Sequence, residues 1–301
     1  MLSGTGVTAT AVRILLNERL EYLITTTGPL NEQAGLPGRL IFPYMTDSTG
    51  YTTQFILINP PGVSKTTGVL HYLATDGSAL AVDTLKLGSI QIVPFQSFNT
   101  PHAHAILSRT AGGVLIFQTS VEGQLPLRSF RVYAESVGDF DAGIAGSTRS
   151  SVALANPAQT PVTVRLELRG LDGTLLRLSQ PFAVPPVGQV AMFLNQVPGF
   201  ETMTAPFEGI LRITVTSGSG VTGSGFRAIF NERGNTLITT TGPLSENAGV
   251  PGQIVFPHIA EGGGYTTQII VISGTAGESN SGLLSFFNQQ GSPLNLTLAE
   301  R

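Results

Sequence analysis

Few residues in this 301-residue chain have the type and spacing that chemistry needs. His102 and His104 stand two apart, which puts both imidazoles on one face of a strand, a spacing some metal sites use. A third ligand is not evident nearby, so the pair reads as part of a loop beside Pro101. Asp139-Phe140-Asp141-Ala142-Gly143 resembles a calcium loop, but calcium takes roughly six to eight oxygens, and neither a third acid nor a closing glutamate follows. A solvated linker between two units is the better reading. Gly218-Ser219-Gly220-Val221-Thr222-Gly223 fits the dinucleotide pattern G-x-G-x-x-G, which works only where a helix follows to hold the pyrophosphate. Here Phe226-Arg227-Ala228-Ile229-Phe230 follows, a strand, and the other copy of the stretch is Gly4-Thr5-Gly6-Val7-Thr8-Ala9, so a hairpin turn is expected. There is no G-x-S-x-G elbow, and the four histidines suggest no Ser-His-Asp set. The threonine triplets 25–27 and 239–241 line up hydroxyls as ice-binding surfaces do, over too small an area, so each is expected to be a strand edge. Asn17-Glu18-Arg19 and Asn231-Glu232-Arg233 read as turns with a local ion pair. The chain is accordingly expected to have no catalytic, cofactor-binding or metal-binding residue, and not to be an enzyme.

Composition narrows the elements that position these residues. With 16 basic and 19 acidic residues and a net charge of −3, no basic patch argues for nucleic acid or anionic lipid. Abundant Gly (36) and Pro (19) over a 41% apolar background suits short strands and tight turns, and suits long helices poorly. No apolar run approaches the roughly 18–20 residues of a membrane span. Cysteine is absent, so neither disulfides nor thiolate chemistry can operate. The start, Met1-Leu2-Ser3-Gly4, lacks the features of a signal peptide.

The chain writes one stretch twice. Residues 3–58 lie on 217–272 without a gap, with 31 identities in 56 positions. Asn17-Glu18-Arg19, Leu23 to Leu30, Ala34-Gly35, Pro37-Gly38, Phe42-Pro43 and Gly50-Tyr51-Thr52-Thr53-Gln54 all recur 214 positions later. A fixed-offset match of this length marks a repeat architecture. Shorter correspondences at 96 or 97 residues pair Asn59-Pro60 with Asn156-Pro157, Asp76-Gly77 with Asp172-Gly173, and Ser129-Phe130-Arg131 with Gly225-Phe226-Arg227. They divide the chain into a C-terminal half unit (1–40), two complete units (41–146 and 147–252) and an N-terminal half unit (253–301). Alternation in Val164-Arg165-Leu166-Glu167-Leu168-Arg169 predicts strands with one buried face. Asp76-Gly77 and Asp172-Gly173 predict two-residue hairpin turns, with Gln290-Gly291 at the same place in the last unit. In 147–252 seven strands are expected, near 150–156, 161–169, 174–184, 188–194, 209–216, 222–231 and 236–241. Residues 193–200 are expected to form one helical turn. Seven short strands in about 100 residues is the pattern of an immunoglobulin-like β-sandwich, here without its tryptophan and cysteines. The inward set should include Leu57, Leu70, Val152, Leu154, Val164, Leu166, Leu168, Leu211, Ile213, Val215, Phe226 and Phe230, and the two complete units should meet end to end.

The strings Phe256-Pro257-His258-Ile259-Ala260-Glu261-Gly262-Gly263-Gly264-Tyr265-Thr266-Thr267-Gln268, Asn231-Glu232-Arg233 and Leu237-Ile238-Thr239-Thr240-Thr241 resemble ones that recur in uncharacterised tandem β-sandwich repeats of secreted or surface proteins of soil bacteria. The segment after Arg131, Glu135-Ser136-Val137-Gly138-Asp139-Phe140, departs from them in lacking the threonine triplet. The resemblance implies an all-β fold and an extracellular or cell-surface setting, and no catalytic residues or cofactors.

The function expected from these features is a non-catalytic structural or adhesive array, a spacer or display stalk. Its partners are neighbouring repeats of the same or an identical chain, or cell-surface glycans or proteins. The alternative is a carbohydrate-binding module attached to a secreted enzyme, disfavoured because there is no Trp and only six Tyr; Tyr51 and Tyr265 recur at the start of a strand. Both ends fall inside a unit, which marks the chain as a fragment of a longer array or as one whose half units pair. A lone N-terminal half would expose Ile269, Val271, Leu284 and Phe286 beside an open strand edge.

Overall fold

The computed structural model describes residues 9–28, 38–59, 62–63, 65–81, 87–95, 100–246, 254–273 and 281–294. Expectations for 4–8, 29–30, 34–37, 60 and 248–252 lie outside them. Among these residues the fold is all-β, with one 3-10 turn at Leu194–Gln196 inside the 193–200 stretch and no helix long and apolar enough to cross a membrane.

The strands fall into two face-to-face pairs of antiparallel sheets and a leading hairpin. The hairpin is Ala11–Leu16 (β1) with Tyr22–Thr27 (β2). Then follow Leu40–Thr46 (β3), Tyr51–Ile58 (β4), Gly68–Leu73 (β5), Leu87–Pro94 (β6), His102–Ala111 (β7) and Val114–Glu122 (β8). They form sheets ordered β3-β6-β5 and β4-β7-β8. Their side chains meet in a core of Leu40, Phe42, Met45, Ile90, Ile92, Ala103, Ala105 and Val121.

Next come Ser129–Val137 (β9), Thr148–Ala155 (β10), Val162–Gly170 (β11), Leu175–Leu178 (β12), Phe182–Val184 (β13), Gln189–Phe193 (β14), Phe207–Ser217 (β15), Thr222–Phe230 (β16) and Thr236–Thr241 (β17). One sheet runs β12-β11-β15-β9, and β10 with β14, β16 and β17 makes the facing one. The two join at a corner where Thr148 and Arg149 pair with Val137 and Ser136. The core lies between them, with Phe130, Val132, Val164, Leu166, Leu168, Leu211 and Ile213 at most 2% exposed. Leu166 and Leu168 are sealed while Arg165 faces out, the register the alternation predicts.

Both sandwiches follow one succession. The first strand pairs with the partner of the third (β3-β6-β5, β9-β15-β11), and the second pairs with the fifth of the shared strands, which pairs with the last (β4-β7-β8, β10-β16-β17). Three short strands, β12 to β14, are additional in the second. The ladders correct one alignment. Tyr51 pairs with Arg109 and Thr148 with Ile229, so the correspondence that begins at 97 residues (148 − 51) has grown to 120 (229 − 109). β9 is therefore not the counterpart of β16. It pairs along its length with β15, and β7 stands where β16 does. The strand matching 239–241 in the first sandwich is β8, which carries Thr119 and Ser120 there.

Leu57 is 44% exposed rather than inward. Phe226 is buried on the opposite face from the one expected, because its neighbours Gly223 and Gly225 are the residues that face the second core, against Phe130, Leu154 and Val132. Phe226 and Ala153 instead complete the first sandwich's core, with Tyr44 tilted on Phe226 at 5.0 Å. The sandwiches thus meet through β3 packed on β10 and β16, a shared apolar layer rather than an end-to-end contact of loops.

One turn recurs five times. In Asn17–Glu21, Ala74–Ser78, Gly170–Thr174, Asn231–Asn235 and Asn288–Ser292 the first N–H donates to the fifth carbonyl and the fourth N–H to the first. These are three-residue loops with a left-handed fourth residue, not the two-residue turns expected. Asp76 and Asp172 accept from the N–H groups of Ser78 and Thr174, so they build the turn. After β17, Leu244–Ser245 (β18) pairs with β9; beyond it, among the described residues, Phe286–Phe287 (β19) pairs with Pro293–Leu294 (β20) and a single bridge joins Gly262 to Tyr265.

Candidate functional site

The polar residues converge at one place, where the final strands of three sheets meet. β2 and β17 each pack beside β8 without a backbone ladder to it. Hydroxyls make the junction. Thr25 donates to the carbonyl of Gln118 (3.1 Å), Ser120 to that of Thr26 (2.9 Å) and Thr240 to that of Ser120 (2.6 Å). The hydroxyls of Thr119 and Thr240 share a further bond of 3.1 Å. The triplets are edge strands, as expected, and their hydroxyls fasten one edge to the next.

Between these strands lies a groove of about 310 Å³, lined by Thr25, Thr26, Gln118 to Glu122, Gln124, Ser224 and Thr239 to Thr241. Gln124 braces its floor, donating to Ser224 (3.0 Å) and accepting from the N–H of Gly223 (2.9 Å). The Thr241 hydroxyl is buried without a partner. The lining offers hydroxyls, amides and one carboxylate, Glu122, and no aromatic face on which a sugar ring would stack. Such a wall donates and accepts hydrogen bonds; it holds no acid–base pair.

The two asparagine turns meet at the same junction. The Asn17 side chain accepts from the N–H groups of Arg19 and Glu21 and donates to the carbonyl of Leu115 (3.0 Å). Glu18 accepts from the N–H of Leu115, which holds its carboxyl below the usual range. The ion pair is not local: Arg233 of one copy pairs with Glu21 of the other.

His102 and His104 lie on β7, a strand rather than a loop, both buried on one face. Burial pushes the His104 imidazole down, opposed by Glu122 across the ladder and helped by His102. No third His, Cys, Asp or Glu joins them among the described residues. Asp141 is held by both terminal guanidinium nitrogens of Arg149, whose Cζ lies 5.2 Å from the ring centre of Phe140 and 5.4 Å from that of Phe193. Asp139 accepts from the N–H of Ala142. Their loop joins β9 to β10 within the second sandwich, not one unit to the next. Gly218 to Gly223 is likewise no hairpin: it carries the chain from one sheet of the second sandwich to the other. Tyr51 packs edge-on to Phe117 with Arg109 over its ring, whereas Tyr265 is 50% exposed.

Two buried ion clusters have no signature in the sequence, because their members come from distant strands. Glu135, 2% exposed, accepts from Arg227 (3.0 Å) and from the Tyr133 hydroxyl (2.7 Å). Burial and that bonded carboxylate push the Tyr133 phenol far up. Glu246 accepts from Arg131 (2.6 Å) and Arg212 (2.7 and 2.8 Å), and Arg131 also donates to the carbonyl of Ser273. Burial alone raises the Glu246 carboxyl; the two arginines outweigh it and bring it to about 2.

Compared with protein-family models, with characterised proteins and with solved structures, the chain matches none.

Proposed function

We propose that this chain is a non-catalytic array of tandem immunoglobulin-like β-sandwiches that spaces or displays its neighbours at a bacterial cell surface. The observation that carries this reading is the succession of strands shared by the two sandwiches, together with the same five-residue turn at five places. Several polar side chains fasten neighbouring segments: Thr25 and Thr240 bond to adjacent edges, Asp141 to Arg149 and Glu135 to Arg227. The cell-surface setting rests on the resemblance of 231–233, 237–241 and 256–268 to repeats of secreted proteins.

A thermal-shift screen of sugars, nucleotides and divalent cations, followed by a glycan array, tests it. The array reading expects no saturable shift in melting temperature, since a ligand bound by the native state alone must stabilise that state. A saturable shift with a glycan, abolished by Thr26→Val or Gln118→Ala in the groove, would favour the carbohydrate-binding module instead.

A further inference from the structure

Two surfaces of the molecule have the form of partners that are already joined elsewhere in it. β1 pairs with β2 alone among the described residues, so its far edge carries unpaired backbone groups. By the 214-residue correspondence β1 stands where β16 does, and the far edge of β16 is occupied by β10. β10 in turn stands where β4 does, and β4 occupies the far edge of β7. The chain has a third copy of this strand: residues 265–272, Tyr-Thr-Thr-Gln-Ile-Ile-Val-Ile, match Tyr51–Ile58 at six of eight positions. That copy is in no ladder among the described residues apart from the Gly262–Tyr265 bridge of its leading turn, and Val271 is 71% exposed.

We infer that residues 265–272 of one copy add as a strand to the β1 edge of a second copy, antiparallel, with Thr266 opposite Ile14. The register is inherited. Thr52 pairs with Ser108 and Arg149 with Ala228; Thr266 is Thr52 moved by 214, and Ile14 is Ala228 moved back by 214. Gln268 then faces Val12, and Ile270 faces Thr10.

A second pair of surfaces fits the same assembly. Ala153 and Ala155, on β10, are 1% exposed beneath β3. Their counterparts on β4, Ile56 and Ile58, are 37% and 44% exposed. The counterparts of β3's Leu40 and Phe42 are Ile254 and Phe256, exposed at 60% and 50%. With 265–272 docked on β1, residues 254–260 of the incoming copy lie over Ile56 and Ile58, as β3 lies over β10. The incoming segment is already folded for this: Thr267 bonds the backbone of Ala260 in both directions, as Thr53 bonds Thr46. A contact between two different surfaces of one chain is head to tail and propagates.

This inference rests on the array reading, and a cross-linking experiment separates the two. The chain has no cysteine, so each introduced thiol is unique. Full-length Ile14→Cys is mixed with full-length, size-tagged Thr266→Cys or Tyr265→Cys under mild oxidation. All three sites are exposed or edge positions, so folding is retained. The expected result is a mixed disulfide dimer that forms at least about tenfold faster with Thr266→Cys, because neighbouring strand residues point to opposite faces. The double variant Ile14→Cys/Thr266→Cys should give a ladder of multimers. Equal rates for the two partners overturn the register. A double variant that closes within one chain at every concentration overturns the second copy as partner. Either failure, with the ligand screen blank, removes only this inference; a positive ligand screen removes the array reading independently.

Discussion

Leu20 occupies a position that glycine fills in the other four copies of the recurrent turn. Its φ is 63°, beside 87° at Gly77, 83° at Gly173, 73° at Gly234 and 79° at Gly291. A left-handed L-residue costs roughly 1–2 kcal/mol, partly offset by the extra unfolded-state entropy a glycine brings. Leu20→Gly is therefore expected to stabilise the protein by about 0.5–1 kcal/mol in urea unfolding, and a measured loss would contradict the turn geometry. Arg227 carries the opposite lesson. Removing it deprives the buried Glu135 of its ion-pair partner, so Arg227→Ala should cost about 3–5 kcal/mol. Glu246 sets a pH dependence. Its carboxyl titrates near 2 in the folded chain against about 4.3 unfolded, so its contribution is present above pH 4.5 and fades as pH falls toward 2. Glu246→Gln should lose on the order of 3 kcal/mol at pH 7 and match the parent protein near pH 2.

At the scale of elements, side-chain hydroxyls do at the β2–β8–β17 junction what a backbone ladder does within a sheet. Thr240, which donates to Ser120, and Thr239, which is exposed, make a matched pair for testing this. Thr240→Val should cost about 1 kcal/mol and Thr239→Val close to nothing; equal effects would mean that strand propensity rather than the bond matters. The strands themselves were legible in the sequence, because each has one wet and one dry face and alternation records that. All seven expected in 147–252 are present, the third as β12 and β13. What alternation does not record is which sheet's core a face meets. Phe226 reads as inward by period, yet the glycines beside it leave room for Phe130 and turn its own ring toward the first sandwich. The alignment of 129–131 with 225–227 failed for a related reason: Phe-Arg is a short match, and only the ladder of β9 to β15 shows that β9 opens a sandwich instead of closing one. The groove was invisible, since its hydroxyls come from four strands spread over more than 200 residues of sequence.

For the whole molecule, the shared layer of Ala153, Phe226 and the β3 side chains couples the two sandwiches. One cooperative transition is expected, with calorimetric and van't Hoff enthalpies equal, and Phe226→Ala should lower the stability of both sandwiches together by about 3–5 kcal/mol. Two resolved transitions would show that they unfold independently. The return of the chain from β17 to β9 adds a mechanical property. β18 lies antiparallel on β9 at Leu244 and Ser245, and Glu246 is gripped by Arg131 and Arg212 directly afterwards. When the chain is pulled through residues 254–294, tension reaches this point before either core. The two arginines and the short ladder then act as a cleat, and the rope parts there first, at a force that drops in acid as the Glu246 carboxylate is neutralised.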